Sequence, residues 1–153
     1  MTAPQPTIFT NYHLYEQDFY LWLETTAKQL KEGRFSEIDL ENLIEEIECM
    51  GRSEKRALES NLVILLMHLL KYKYQPEKRS NSWKGIIREH RRRLTRTFKD
   101  SPSLKPYFQE VLPQCYQDAR KQASDETGLL LDAFGVDSPF TADECLDEEF
   151  LPD

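Results

Sequence analysis

Three sets of side chains in this sequence have the type and spacing to do chemistry. The first is acidic. Glu41, Glu45 and Glu48 recur at i, i+4 and i+7, which sets three carboxylates along one helix face. Bundles that hold two metal ions use glutamates in this way, together with Glu-x-x-His pairs. No Glu-x-x-His occurs here; Glu89 and His90 are adjacent and point in different directions on a helix. A solvated or salt-bridged face therefore weighs more than a metal or acid–base site. The second set centres on His68, inside the most apolar segment, with Tyr72 four residues later on the same face and within hydrogen-bonding reach. Glu45, Glu48 and His68 together would be the ligands of a metal-dependent enzyme. A core histidine satisfied by its neighbours is the weightier reading. His90 falls in an apolar stripe and is read the same way.

The third set is basic. Trp83, Ile87, His90, Leu94 and Phe98 collect on one side of a helix, and Lys84, Arg88, Arg91, Arg92, Arg96 and Lys99 are assigned to the other. Such a stripe can track phosphates. It can equally pair with carboxylates of the same chain or of a protein partner, and a charged face opposite an apolar one is the ordinary plan of a surface helix. No phosphate-cradling glycine loop, Gly-x-Ser-x-Gly motif or Cys–His pairing occurs, so no cofactor is implied.

The elements that must position these residues are helices. Residues 1–11 hold two prolines and no apolar period, and read as a flexible arm. From Tyr12, the apolar residues Tyr15, Phe19, Trp22, Leu23 and Leu30 keep a helical period that Gly33 stops. Asp39 or Ser36 caps a second helix, whose stripe begins Leu40, Leu43, Ile44, Ile47 and passes Gly51, a candidate kink or break into two helices. It continues into "LVILLMHLL", apolar on every side, which predicts a helix enclosed by others. Pro76 ends it, and Ser80 or Ser82 caps the basic helix 83–99. Ser101 or Ser103 caps a fourth helix, with Phe108, Val111, Leu112, Cys115, Tyr116, Ala119 and Ala123, in which Pro113 predicts a local distortion. Leu129 to Phe134 is a short apolar piece, and Thr141 with Glu144 is a capping-box pattern. No stretch alternates with period two. The expected fold is all-α, a bundle of four to six helices with short loops, in one domain over 12–150.

Composition limits the function classes. The net charge of −7 hides an asymmetry: residues 1–51 carry −7, 52–99 carry +10 and 100–153 carry −10. A basic middle between acidic ends suits pairing within the chain or with a protein, and the acidic ends repel nucleic acid. Cys49, Cys115 and Cys145 are widely spaced with no CxxC pair, which reads as reduced thiols of a cytoplasmic protein and carries no zinc signature. The N-terminus lacks a signal-peptide pattern, and no apolar run approaches the ~20 residues of a membrane span.

Certain stretches, taken in order, resemble the domain-of-unknown-function 29 family of small bacterial helical proteins. They are "FYLWLETTAKQLKEGRF", "IDLENLIEEIECMG", "LLMHLLKYKYQP", "RSNSWKGIIREHRR", "SPSL", the Glu126-Thr127 pair and "SPFTADECLD". The resemblance spans roughly residues 12–150; Tyr72 departs from it, standing where tryptophan is common. It implies an all-helical fold and supplies no reaction. The leading expectation is a non-enzymatic protein-interaction or regulatory domain that docks an unknown protein partner or itself. The alternatives are a nucleic-acid-binding protein using helix 83–99, with weak binding, and the metal-dependent enzyme using Glu45, Glu48 and His68. No membrane association is expected.

Overall fold

The computed structural model describes residues 11–153. The expected arm lies outside the described residues except for Asn11, which already belongs to the first helix. Six α-helices follow: α1 (Asn11–Gln17), α2 (Phe19–Lys31), α3 (Leu40–Tyr74), α4 (Asn81–Asp100), α5 (Lys105–Thr127) and α6 (Ala142–Leu146). No strand occurs among the described residues, so the fold is all-α, as the apolar periods require. The chain divides into two compact units, residues 1–52 and 53–153.

The first unit comprises α1, α2 and the start of α3. The helix expected to run unbroken from Tyr12 is interrupted at Asp18, whose carboxylate accepts a bond from the Leu21 N–H at 3.0 Å and so restarts the helix as an N-cap. Gly33 takes φ +72° just beyond α2, a conformation that costs a side-chain-bearing residue energy, and it ends the helix as expected. Arg34 then forks onto Glu37 and Glu32 across the turn. Asp39 caps α3 by accepting from the Asn42 backbone N–H at 3.4 Å, and its carboxylate also accepts from the Asn42 side chain at 2.7 Å and from the Trp22 indole at 3.3 Å. The Tyr15 hydroxyl donates to Glu46 at 2.5 Å. These two ties run α1 and α2 antiparallel to the start of α3.

α3 continues through Gly51 without a break for 35 residues. Glycine costs about 1 kcal/mol in a helix interior, which neighbouring residues with helical propensity outweigh. Proline is what stops a helix outright, and none intervenes before Pro76.

The second unit packs α4, α5 and the C-terminal segment about the latter part of α3. Leu58, Leu62, Leu65, Leu66, Leu69 and Leu70 are fully buried, as an all-round apolar segment demands. Ser80 caps α4 through the Trp83 N–H. α5 has no side-chain cap; a 3-10 turn at Pro102–Leu104 leads into it instead of the expected Ser101 or Ser103 cap. Pro113 sits inside the continuous α5. Polar ties join the three helices: Tyr107 to Glu59 at 2.5 Å, His90 to Asn61 at 2.9 Å and Lys71 to Glu126 at 2.8 Å. After Gly128, again at positive φ, the chain folds back. Phe134 packs edge-on against Tyr74, and the capping box of Thr141 and Glu144 opens α6 as expected.

Candidate functional site

The polar candidates within the apolar segment form no reactive group. His68 is buried, and its Nδ1–H donates to the Ile64 carbonyl at 2.9 Å, four residues back on its own helix. The hydrogen bond expected to Tyr72 is not made, because that turn of helix already offers the ring an acceptor. Tyr72 is buried with the Arg79 guanidinium 4.4 Å above its ring. Burial lowers the His68 pKa, opposed by the bond to Ile64 and helped by the Lys71 charge. Burial likewise lowers that of His90. Glu45 is exposed and paired with Arg52 at 2.6 Å, and Glu48 is exposed; His68 follows 20 residues after Glu48 on the same helix. Among the described residues no three His, Cys, Asp or Glu side chains gather as a metal-binding group, so Glu45, Glu48 and His68 are not brought together.

The basic helix divides differently from its sequence assignment. Lys84, Arg88, Arg92, Arg96 and Lys99 are exposed, and Arg93 joins them. Arg91 does not: it is 1% exposed. It stands four residues after Ile87 and three before Leu94, within the buried arc, and that phase was readable in the sequence. Its guanidinium donates to three main-chain carbonyls of the C-terminal segment, those of Cys145 (2.9 Å), Phe150 (2.7 Å) and Glu144 (3.0 Å). Arg79 adds a bond to the Pro152 carbonyl at 3.3 Å. The segment so held places Glu148 and Glu149 beside Lys84, Arg88 and Arg92 in one cleft of about 590 Å³. Glu89 grips both Arg92 and Arg93, which hold its carboxyl down at about 2, and Arg96 reaches Asp100 at 4.0 Å. Arg92, Arg93 and Arg96 thus have ion-pair partners within the chain, whereas Lys84, Arg88 and Lys99 make no ion pair among the described residues. The buried thiols of Cys115 and Cys145 are pushed up to about 11 and about 12 by desolvation, so neither is a nucleophile.

The most unusual surface lies in the first unit. Among its described side chains only Trp22, Thr26 and Gln29 are buried. The stripe that sequence periodicity marks as core is bare: Leu40 is 61% exposed, Ile44 47% and Ile47 55%. In the second unit, residues at the same helical spacing, Leu58, Leu62, Leu65 and Leu69, are all fully buried. An apolar repeat of one kind is thus covered in the second unit and uncovered in the first. On α2, Phe19, Leu23 and Leu30 are also exposed. They lie about a quarter-turn beyond Trp22. Leu40, Ile44 and Ile47 lie about as far beyond Leu43 in the same rotational sense. In an antiparallel pair that displacement brings both stripes out on one side, so α2 and α3 present a shared apolar face. Glu41, Glu45 and Glu48 rim it along α3, and Glu41 and Glu48 have no ion-pair partner among the described residues.

The family of this all-helical chain is decided by its sequence profile, that of Domain of unknown function DUF29, which matches residues 14–151. The chain belongs to this family. No curated protein and no solved structure matches it.

For this DUF29 chain the bare face has a definite energetic meaning. Completing the burial of its six half-covered side chains, Phe19, Leu23, Leu30, Leu40, Ile44 and Ile47, is worth on the order of 5–9 kcal/mol. Association costs about 4–15 kcal/mol in lost freedom. The two ranges overlap, so apolar contact on this face would not by itself hold an obligate complex. Among the described residues no helix is long and apolar enough to cross a membrane.

Proposed function

We propose that this protein is a non-enzymatic interaction domain of the cytoplasm, which receives a helical partner on the apolar face of α2 and α3. One observation carries the reading: the α3 stripe is buried where α4 and α5 cover it and bare from Leu40 to Ile47. Soluble domains rarely leave a contiguous apolar surface uncovered unless something docks there. The two buried, unreactive thiols and the unpaired Cys49 agree with a reducing compartment. Nucleic-acid binding by α4 is the weaker reading, since Glu89 and Asp100 pair with Arg92, Arg93 and Arg96, and Glu148 and Glu149 line the cleft beside Lys84 and Arg88.

The test compares wild type with Ile47→Glu, both tagged and purified from the protein's own cells. Ile47 is exposed, so the substitution should leave helicity and denaturation midpoint within the ~0.5 kcal/mol typical of surface changes. A protein that copurifies with wild type, is lost with the variant and rebinds as a purified component supports the reading. Identical companions for both proteins would refute it.

A further inference from the structure

Resting on that reading, we propose the chemistry of the occupant: an amphipathic helix of another protein, with an apolar stripe flanked by lysine or arginine. The shape of the site asks for a helix. From Leu40 to Gly51 the bare stripe repeats at i, i+4, i+7 and i+11, about three turns, and α2 supplies the second wall. In the second unit, α4 and α5 supply most of the cover of α3. At Gly51 nothing lies within 4 Å of where a side chain would begin, so a partner backbone can come close at that end.

Charge selects among helices. Residues 1–52 carry ten carboxylates against four lysines and arginines. Glu41, Glu45 and Glu48 follow the stripe along its whole length, and among the described residues only Glu45 is answered, by Arg52. A second copy docked face to face would set two such rails against each other, and an acidic helix would meet the same repulsion. Lysines or arginines flanking a partner's apolar stripe would meet Glu41 and Glu48, at the rim where charges govern encounter and selectivity.

The full-length protein would be titrated with labelled helical peptides of about 15 residues, sharing one Leu/Ile stripe and flanked by Lys/Arg, Gln or Glu. The basic peptide should bind about tenfold more tightly than the acidic one at low salt, with an advantage that shrinks above ~0.15 M. The double substitution Glu41→Gln/Glu48→Gln, which leaves the Glu45–Arg52 pair intact, should remove most of that advantage without changing helicity. Ile44→Glu should weaken every peptide. Equal binding of all three peptides, lost in Ile44→Glu, would overturn the basic-partner proposal while leaving the interaction domain standing. No peptide binding, with a dimer in sedimentation that Ile44→Glu disperses, would give the face to a second copy and again overturn only the proposal. No binding and a monomer throughout would overturn both.

Discussion

Replacing Arg91 with alanine should detach the C-terminal segment while leaving the helical core folded. The guanidinium makes three bonds to carbonyls of Glu144, Cys145 and Phe150. Hydrogen bonds to a charged donor contribute about 1.5–3 kcal/mol each, which would sum to well over 5 kcal/mol if the segment stayed in place with its carbonyls unsatisfied. It need not stay. Once the loss exceeds what holds the segment down, the segment lifts and water takes the carbonyls. What holds it otherwise is chiefly the burial of Phe140 and Cys145, with Phe150 packed against Phe140. The cost is therefore capped near the docking energy of the segment, about 3–5 kcal/mol, the range seen when a buried charged partner is removed. Hydrogen exchange with peptide-level readout tests this. Amides at Cys145 and Asp147, which bond back to Thr141 and Asp143 in the present fold, should lose protection by a factor of 100 or more, since about 1.4 kcal/mol is tenfold. Amides of α3 from Leu62 to Leu70 should keep most of theirs. Unchanged exchange at 145–147 would refute the view that Arg91 is what fixes the segment. Equal loss in both regions would refute its independence from the core.

Acid should weaken the fold from near neutrality. Burial lowers the pKa of His68 and His90, so each takes up its proton at lower pH in the fold than in the unfolded chain, which gains protons below about pH 6.5. Stability is full above that pH and falls below it, by at most about 1.4 kcal/mol per pH unit per histidine; urea midpoints equal at about pH 7.5 and 5.5 would contradict this. His68→Ala should cost about 1–3 kcal/mol, through lost packing more than lost bonding, because the Ile64 carbonyl keeps its own helical partner. Gly51→Ala should stabilise by about 0.5–1 kcal/mol, since the residue is helical and its surroundings are open; a lowered melting temperature would show that the helix needs to bend there. The intact protein should bind labelled DNA only weakly and at low salt, and Glu148→Gln/Glu149→Gln should tighten that binding. Cutting the chain after Ser138 is the poorer test, because it strips Phe140 and Cys145 from the core.

Helix positions were legible wherever a local signal dictates them. Gly33, Ser80 and the Thr141–Glu144 box act through backbone groups within a few residues, and each does what its type predicts. Ser101 and Ser103 failed as caps because proline at 102 starts a 3-10 turn that satisfies the chain without them. The break at Asp18 was hidden by an apolar period that runs straight across it. The buried segment 62–70 was plain from its composition. Arg91 was misplaced by its charge, although its phase set it inside the apolar arc; burial followed position because carbonyls across the interface could satisfy it. The bare face of α3 was not legible at all. Periodicity reports that a stripe should be covered, and Leu40, Ile44 and Ile47 satisfy it as well as Leu58 and Leu62 do. What covers a stripe depends on the other elements, and for the first half of α3 the chain leaves part of that cover unsupplied.

The grip of Arg91 has a consequence for how the sequence can drift. It reads carbonyl oxygens, which every residue carries, so it is indifferent to which side chains occupy 146–149. The spacing between its acceptors is another matter, since the carbonyls of Cys145 and Phe150 must reach one guanidinium. Over generations the exposed Glu148 and Glu149 are free to change their letters, and with them the charge beside α4, while Leu146, packed against the core, is not, and the segment's length is fixed. A single inserted or deleted residue there would do what no ordinary substitution between those two acceptors does.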